Sequence, residues 1–570
     1  MELLSHPVVS VVILLGVLVF VHEAGHFLVG KAFGIAVESF SIGFGPQLVS
    51  FRRKETVYRI GILPLGGYVK FYGSTRSEPV PEHIRGREFY KASLIGRLAT
   101  VSAGPLANFI LAIGIFTGLV MHGIQSPPAI VGQVMSGSPA DTAGLKFGDR
   151  VTSIDGDKIH SWKDLSRAIE ALPGESIAVE VVRDSATVSL TIVPDAIDDS
   201  ELGKRKGRIG ISPLMVPNTI TITDPSGLAA AVGWATGMKV VSAQTDSSEP
   251  VEIRYWPELD EFVKMSTADG AAQVLTFKAV KVASPQGENN KQNDLIYGEP
   301  LALTINVEKL KGTSFEAALG LTDSQLTIEA LTEKSKIKAE DFALQPGDHI
   351  ESWNGKEYSQ LLELGGVLSE YENSSATVSI IRDGVRLEKE VALAPVELQK
   401  AEGKVTRYTL PVSFLGALEK PELVTEQYSN PFKALAYGFH ETSYAIEMIG
   451  VAVAGLFTGQ MPLNALGGPI AIAKVASDSA KLGLQTFLFS MAWLSVNLGL
   501  LNLFPIPVLD GGQLVLLCAE GIKRRPISEV VVENYQKIGF VMVLALIIMA
   551  TYNDLGRFWA NMVKSMETLF

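Results

Sequence analysis

Two histidines four residues apart, His22 and His26, with Glu23 beside the first, sit in "VHEAGH" (21–26) inside a run that is otherwise apolar from 7 to 29. On a helix, positions i and i+4 project from one face a turn apart, so both imidazoles can reach one metal ion. HExxH is the spacing at which two imidazoles bind Zn2+ while the glutamate activates the attacking water. A charged residue at membrane depth costs ~2.5–3.5 kcal/mol, so helix packing alone does not account for Glu23. Catalytic zinc takes a third protein ligand and keeps one position open. Asp510 in "NLFPIPVLDGG" (502–512) is the candidate. Pro505 and Pro507 cannot continue a regular helix, so the chain breaks there and the carboxylate can turn inward. An ordinary turn aspartate beside Gly511 and Gly512 is the other reading.

These residues need helices to position them. At 570 residues the chain exceeds what one core supports, so several domains are expected. Mean hydropathy is +0.24, with the apolar residues clumped, which is the profile of a membrane protein. Stretches at 7–29, 95–121, 483–504 and 536–553 are long and apolar enough to span a bilayer. "MELLSHP" lacks the basic start of a signal peptide, so the first is read as a retained span. A fifth stretch, 431–457, carries Lys433, His440, Glu441 and Glu447 and is read as an amphipathic helix in the interface. His440 lacks a second histidine at ligand spacing, so it is not read as a metal site. Cys518 is the single cysteine, which excludes an intramolecular disulfide framework.

The net charge is −12, yet residues 30–97 carry eleven Lys/Arg against five Glu, a local +6. The rest of the chain then carries −18 (−12 − 6), so nucleic acid is not expected as a partner. That basic loop and "IKRR" (522–525) place the segments between spans one and two, and between the last two, in the cytoplasm. Both termini and the stretch from about 122 to 482 then face outward. His22, about 22 Å along the first helix from Pro7, and Asp510 both fall in the cytoplasmic half. Had 431–457 crossed the membrane, Asp510 would lie on the opposite face.

The outer stretch contains a repeat. "AGLKFGDRVTSIDGDKIHSWKDL" (143–165) recurs as "FALQPGDHIESWNGKEYSQLLEL" (342–364), each followed by strand-like runs. A fainter middle copy begins at "WATGMKVVSA" (234–243), where the Gly-Asp turn is lost. Apolar alternation around such a turn, then a helix and two more strands, describes a small β-rich module with an open groove. The modules resemble PDZ domains, which implies binding of peptide C-termini by strand addition.

HExxH in the first span, "GFGP" (43–46), "GILPLGGYVK" (61–70), "SAGPLANF" (102–109) and "SVNLGLLNLFPIPVLDGG" (495–512) together resemble the site-2 protease family of intramembrane zinc metalloproteases, peptidase family M50, in its bacterial sigma-E-regulating branch. The resemblance implies a polytopic α-helical membrane protein of the bacterial inner membrane. It has four transmembrane helices, a membrane-associated β-hairpin region on the cytoplasmic side, and inserted periplasmic PDZ-like α+β domains. Its divisions are 1–121, 128–196, 208–310 (degenerate), 316–395, the interfacial helix 430–460, and 483–553. One Zn2+ would be held by His22, His26 and Asp510, with Glu23 as catalytic base. Substrates would be the transmembrane segments of single-span proteins within the lipid bilayer, such as a trimmed anti-sigma factor or remnant signal peptides. Gly66, Gly67 and Tyr68 fall in the region whose edge receives substrate as an added strand, and Asn497 and Asn502 in positions that hold its backbone. The outer region exceeds the usual two PDZ domains, and the repeats are expected to exclude untrimmed substrates. A catalytically silent PDZ-bearing scaffold is the alternative; an intact HExxH with a third carboxylate argues against it. A tethered soluble zinc protease would need HExxH outside the span.

Overall fold

Unbroken apolar sequence folds into helices that satisfy their own backbone, the one simple solution available in lipid. The structure is a computed structural model that describes residues 6–75, 77–199, 204–268, 272–283, 296–310, 313–332, 342–369, 371–400, 403–458 and 467–567. It divides into two units, Met1–Gln125 with Thr425–Phe570, and Ser126–Val424. In the first unit lie helices α1 (Pro7–Ala32), α2 (Leu94–His122), α3 (Pro431–Thr458), α4 (Pro469–Lys481), α5 (Leu484–Leu503), α6 (Asp510–Lys523) and α7 (Glu529–Glu567). Pro7 starts α1, where its missing N–H is no loss, and the Ser93 side chain accepts the Gly96 N–H to cap α2. The spans expected from the sequence fall on α1, α2, α5 and α7, each long and apolar enough to cross a membrane.

Leu14 and Leu18 of α1 pack with Ala476 of α4 and with Phe487 and Met491 of α5. Ala112 and Phe116 of α2, Ala445 of α3, and Ala492 and Val496 of α5 form the adjoining core, so α3 packs along the bundle. Helix α4 has no counterpart in the sequence reading. Its first turn is capped by Asp554 of α7, whose carboxylate accepts the N–H groups of Gly468 and Ala471 at 3.0 Å. A carboxylate at a helix N-terminus satisfies orphan donors and meets the positive end of the dipole.

Strands β1 (Val37–Arg53) and β2 (Thr56–Phe71) follow α1. Each folds over on itself. Val37–Ile42 is flanked on one side by Gly67–Phe71 (Phe40↔Val69, Ile42↔Gly67) and on the other by Val57–Ile60 (Phe40↔Tyr58, Ile42↔Ile60). The latter segment also pairs with Gln47–Arg53. Gly67–Phe71 is therefore an edge. Phe40 and Tyr58 pack their rings on Phe27 of α1, fixing the sheet to the HExxH helix.

Among its described residues the second unit holds three modules of one topology, each a four-stranded antiparallel sheet with a two-stranded hairpin and one short pair that joins distant segments. The helices Trp162–Glu170, Trp256–Thr267 and Leu361–Ser369 occupy equivalent places. The short pairs join 133–134 to 211–212, 220–222 to 321–323, and 328–331 to 412–414. Each module thus closes further along the chain than the sequence divisions at 196, 310 and 395. In the outer two, Asp149 and Asp348 are buried, accept bidentate hydrogen bonds from Arg183 and Arg382, and accept the backbone N–H groups of Lys146 and Gln345. The middle module keeps its turn, although the Gly-Asp pair is absent there. Gly237 has φ +91°, as Gly148 and Gly347 have +81° and +94°. Buried Met238 replaces the aspartate, and its sulfur faces the Ala235 N–H at 3.2 Å. An apolar side chain that fills the volume of a buried ion pair can match its stability.

Candidate active site

His22 and His26 are 8% and 9% exposed, facing α2. Two glycines make that close approach possible. A Cβ on Gly25 would sit 2.3 Å from the Ala103 carbonyl oxygen, and one on Gly104 would sit 2.2 Å from Nε2 of His26. The His26 Nδ1–H donates to the Thr100 carbonyl at 2.8 Å, which leaves Nε2 free as a ligand atom. Nδ1 of His22 faces the Asn108 side-chain amide at 3.2 Å. Thr100, Gly104 and Asn108 lie four apart on α2 and match the two histidines across an antiparallel pair. The residues of "SAGPLANF" thus support the site, a role that local spacing alone does not reveal.

Gly104→Ala is expected to displace the His26 ring, because a buried imidazole between two helices cannot retreat by an ångström. Zinc binding should weaken at least ~10-fold, the scale on which ligand orientation matters. Chelator competition checks this; wild-type affinity in the variant would show that the ring is not a ligand.

Asp510 reaches the histidines through a tight turn. Pro505 and Pro507 interrupt the helical ladder, and the Leu509 N–H donates to the Ile506 carbonyl at 3.2 Å, closing a β-turn around Pro507 and Val508. Val508 has φ +82°, the position a glycine would normally take, at a strain of about 1–2 kcal/mol. Leu509 is extended and caps α6, so Asp510 is its first residue. Gly511 and Gly512 press on the carbonyls of Phe504 and Ile506, where any Cβ would lie 2.2 and 2.3 Å away. Only glycines let α6 fold back on the end of α5. The Arg97–Glu520 ion pair, 2.8 Å, ties α6 to the start of α2.

The three donor atoms converge. Asp510 Oδ2 lies 3.1 Å from His22 Nε2 and 3.4 Å from His26 Nε2, and the two Nε2 atoms are 3.2 Å apart. Ligands bound tetrahedrally at about 2.0–2.1 Å stand about 3.3 Å from one another, so the spacing fits zinc. Oδ2 is buried and accepts no hydrogen bond among the described residues, a carboxylate oxygen left for a cation.

Glu23 lies beside the edge strand. A Cβ on Gly67 would stand 3.1 Å from its Cγ and 2.9 Å from Val19, and the Val69 N–H points to its carboxylate. Gly66, at φ +147°, lies under the Phe44 ring, which stacks with Tyr68. Asn497 and Asn502 are half-buried on α5, about 140° apart round the helix, and do not share a face. Asn502 lies on the side of Ser495 and Gly499, which packs against α2 at Asn108.

Two histidines and an aspartate whose donor atoms could hold a metal ion, with an adjoining glutamate and set among helices able to span a membrane, are the arrangement of an intramembrane zinc metalloprotease. The sequence model of peptidase family M50 matches residues 10–546, and the chain belongs to that family. It is similar to Protease RseP of Yersinia pestis, 28% identical over 96% of this chain and 97% of the relative. It is similar also to Regulator of sigma-E protease RseP of Escherichia coli (strain K12), 27% identical over 96% and 98%. Among solved structures, the PDZ domain of an SdrC-like protein from Listeria monocytogenes matches at 24% identity, 16% of this chain and 90% of that one, with a TM-score of 0.14. Zinc is the cofactor.

Proposed function

We propose that His22, His26 and Asp510 hold the zinc, that Glu23 is the catalytic base, and that the substrates are transmembrane segments of single-span proteins. The observation that carries this reading is the convergence of three donor atoms within 3.4 Å among apolar helices. When bound, zinc polarises the scissile carbonyl and acidifies water. Glu23 takes the water's proton and delivers it to the leaving amine. His26, held through Nδ1 by Thr100, keeps its ligand atom aimed without reorganisation.

A transmembrane helix hides its carbonyls in hydrogen bonds, so the segment must unwind and its backbone groups must find other partners. The Gly67–Phe71 edge offers them next to Glu23, and Gly67, with no Cβ, lets that edge lie close against Val19 and Glu23 of α1. Asn502, and Asn497 with it, would hold further backbone groups. The basic residues between 30 and 97 favour a cytoplasmic β-region in a bacterial inner membrane, with both termini and the PDZ-like modules periplasmic. Those modules would bind peptide C-termini and keep untrimmed proteins, such as an anti-sigma factor before its first cut, from cleavage.

Gly67→Val would set a branched side chain against the Ser41 carbonyl, Val19 and Glu23 and push the edge away from α1. Cleavage of a stable helical substrate in proteoliposomes is expected to fall by ~10-fold or more relative to one with helix-breaking residues, since only the former depends on strand capture. Equal losses for both would remove the edge from the mechanism.

A further inference from the structure

The side-chain amide of Asn108 is fully buried on α2, and it faces Nδ1 of His22 with Nδ2 at 3.2 Å. Its Oδ1 is buried and has no hydrogen-bond partner among the described residues. An amide that lacks a donor for its oxygen while its nitrogen points at an imidazole has a direct remedy, a rotation by half a turn that exchanges the two atoms. Which orientation is right depends on the proton of His22. The Nε2 atom of His22 is committed to the metal side, 3.1 Å from Asp510 Oδ2 and 3.2 Å from His26 Nε2. A neutral imidazole with a ligating Nε2 carries its proton on Nδ1. Nδ2 and Nδ1–H would then be two donors facing each other.

We infer that Asn108 is a positioning residue for the metal centre, accepting the His22 Nδ1–H through Oδ1 and so fixing that histidine's tautomer and ring plane. This rests on the proposed ligand role of His22. With it, both ligand histidines have their outer N–H groups held by α2, His26 by the Thr100 carbonyl and His22 by the Asn108 amide. The two acceptors are eight residues apart on one helix face and match the four-residue spacing of the histidines with a turn to spare for Gly104. Asn108 is in turn held in place from a third helix. Its backbone carbonyl accepts the Ser495 hydroxyl at 2.8 Å, and a Cβ on Gly499 would stand 3.3 Å from the Asn108 Cβ. Helix α5, which leads to Asp510, thus packs on the residue that orients His22, so that the two sides of the donor set share one support.

The test is zinc affinity of the purified full chain, by competition with a chelator, for wild type, His22→Ala, Asn108→Leu and Asn108→Asp. Leucine keeps the volume and removes the acceptor; aspartate keeps the shape and, when ionised, offers acceptors only. Zinc should bind about 10- to 100-fold more weakly in Asn108→Leu, the usual effect of losing such a partner, and as tightly as wild type or tighter in Asn108→Asp. In zinc-loaded protein with 15N-labelled histidine, a slowly exchanging His22 Nδ1–H signal should be present in wild type and Asn108→Asp and absent in Asn108→Leu. Wild-type affinity in Asn108→Leu, or a tenfold loss in Asn108→Asp, overturns the acceptor role. If Asn108→Leu does not fold, the aspartate variant and the wild-type proton signal decide alone. Zinc retained by His22→Ala would instead count against the ligand assignment itself.

Discussion

Glutamine in place of Glu23 is expected to slow peptide-bond hydrolysis by about 10²- to 10⁴-fold while zinc content stays at the wild-type level. The side chain keeps its length and its place beside Gly67 and the Val69 N–H. What it loses is the ability to accept a proton from water and return it to the leaving nitrogen. Because Glu23 is not among the three converging donors, its replacement separates chemistry from metal binding. Cleavage of a single-span substrate and zinc by mass spectrometry, read on the same preparation, give the result. Activity within a few-fold of wild type would remove Glu23 as the base, and a wild type that cleaves no transmembrane segment would favour the scaffold reading.

Asp510 is expected to tolerate no substitution. Asp510→Ala removes one of the three proposed ligands and should lose both zinc and activity, the latter by more than about 10³-fold, since the metal is then not held to activate water. Asp510→Glu is more telling. It keeps the charge, but its carboxylate is carried on one further carbon from a backbone fixed by the Val508 turn and by two glycines with no room to move. A displacement of about 1 Å in a reacting constellation can lower rates by about 10²-fold. Wild-type zinc affinity and activity in Asp510→Glu would show that the carboxylate is not held as the geometry requires.

The parts of this site that were legible in the sequence depend on local spacing. HExxH needs only helical periodicity, the four spans need only length and polarity, and the paired prolines mark the break before Asp510. What was not legible depends on partners far along the chain. Helix α4 is short and rich in small residues, and its cap, Asp554, comes from α7. The strands that close each PDZ-like module pair with segments some 80 to 100 residues away, so local alternation puts the boundaries too early. The middle copy looked degenerate because the aspartate is gone, yet the turn is set by Gly237, and Met238 fills the place of the ion pair. Asn108 lies in "SAGPLANF", but its part in the site emerges only when α1 and α2 are placed in register.

Zinc K-edge X-ray absorption on the purified full chain and on Asp510→Ala tests most directly whether two histidines of one apolar helix and an aspartate after a broken one hold the catalytic zinc. The expected first shell in wild type is nitrogen and oxygen only, at about 2.0–2.2 Å, with the outer-shell signature of two imidazoles. Asp510→Ala should hold too little zinc to give that spectrum. A first shell with three or more imidazoles, or a spectrum unchanged by Asp510→Ala, would contradict the assignment.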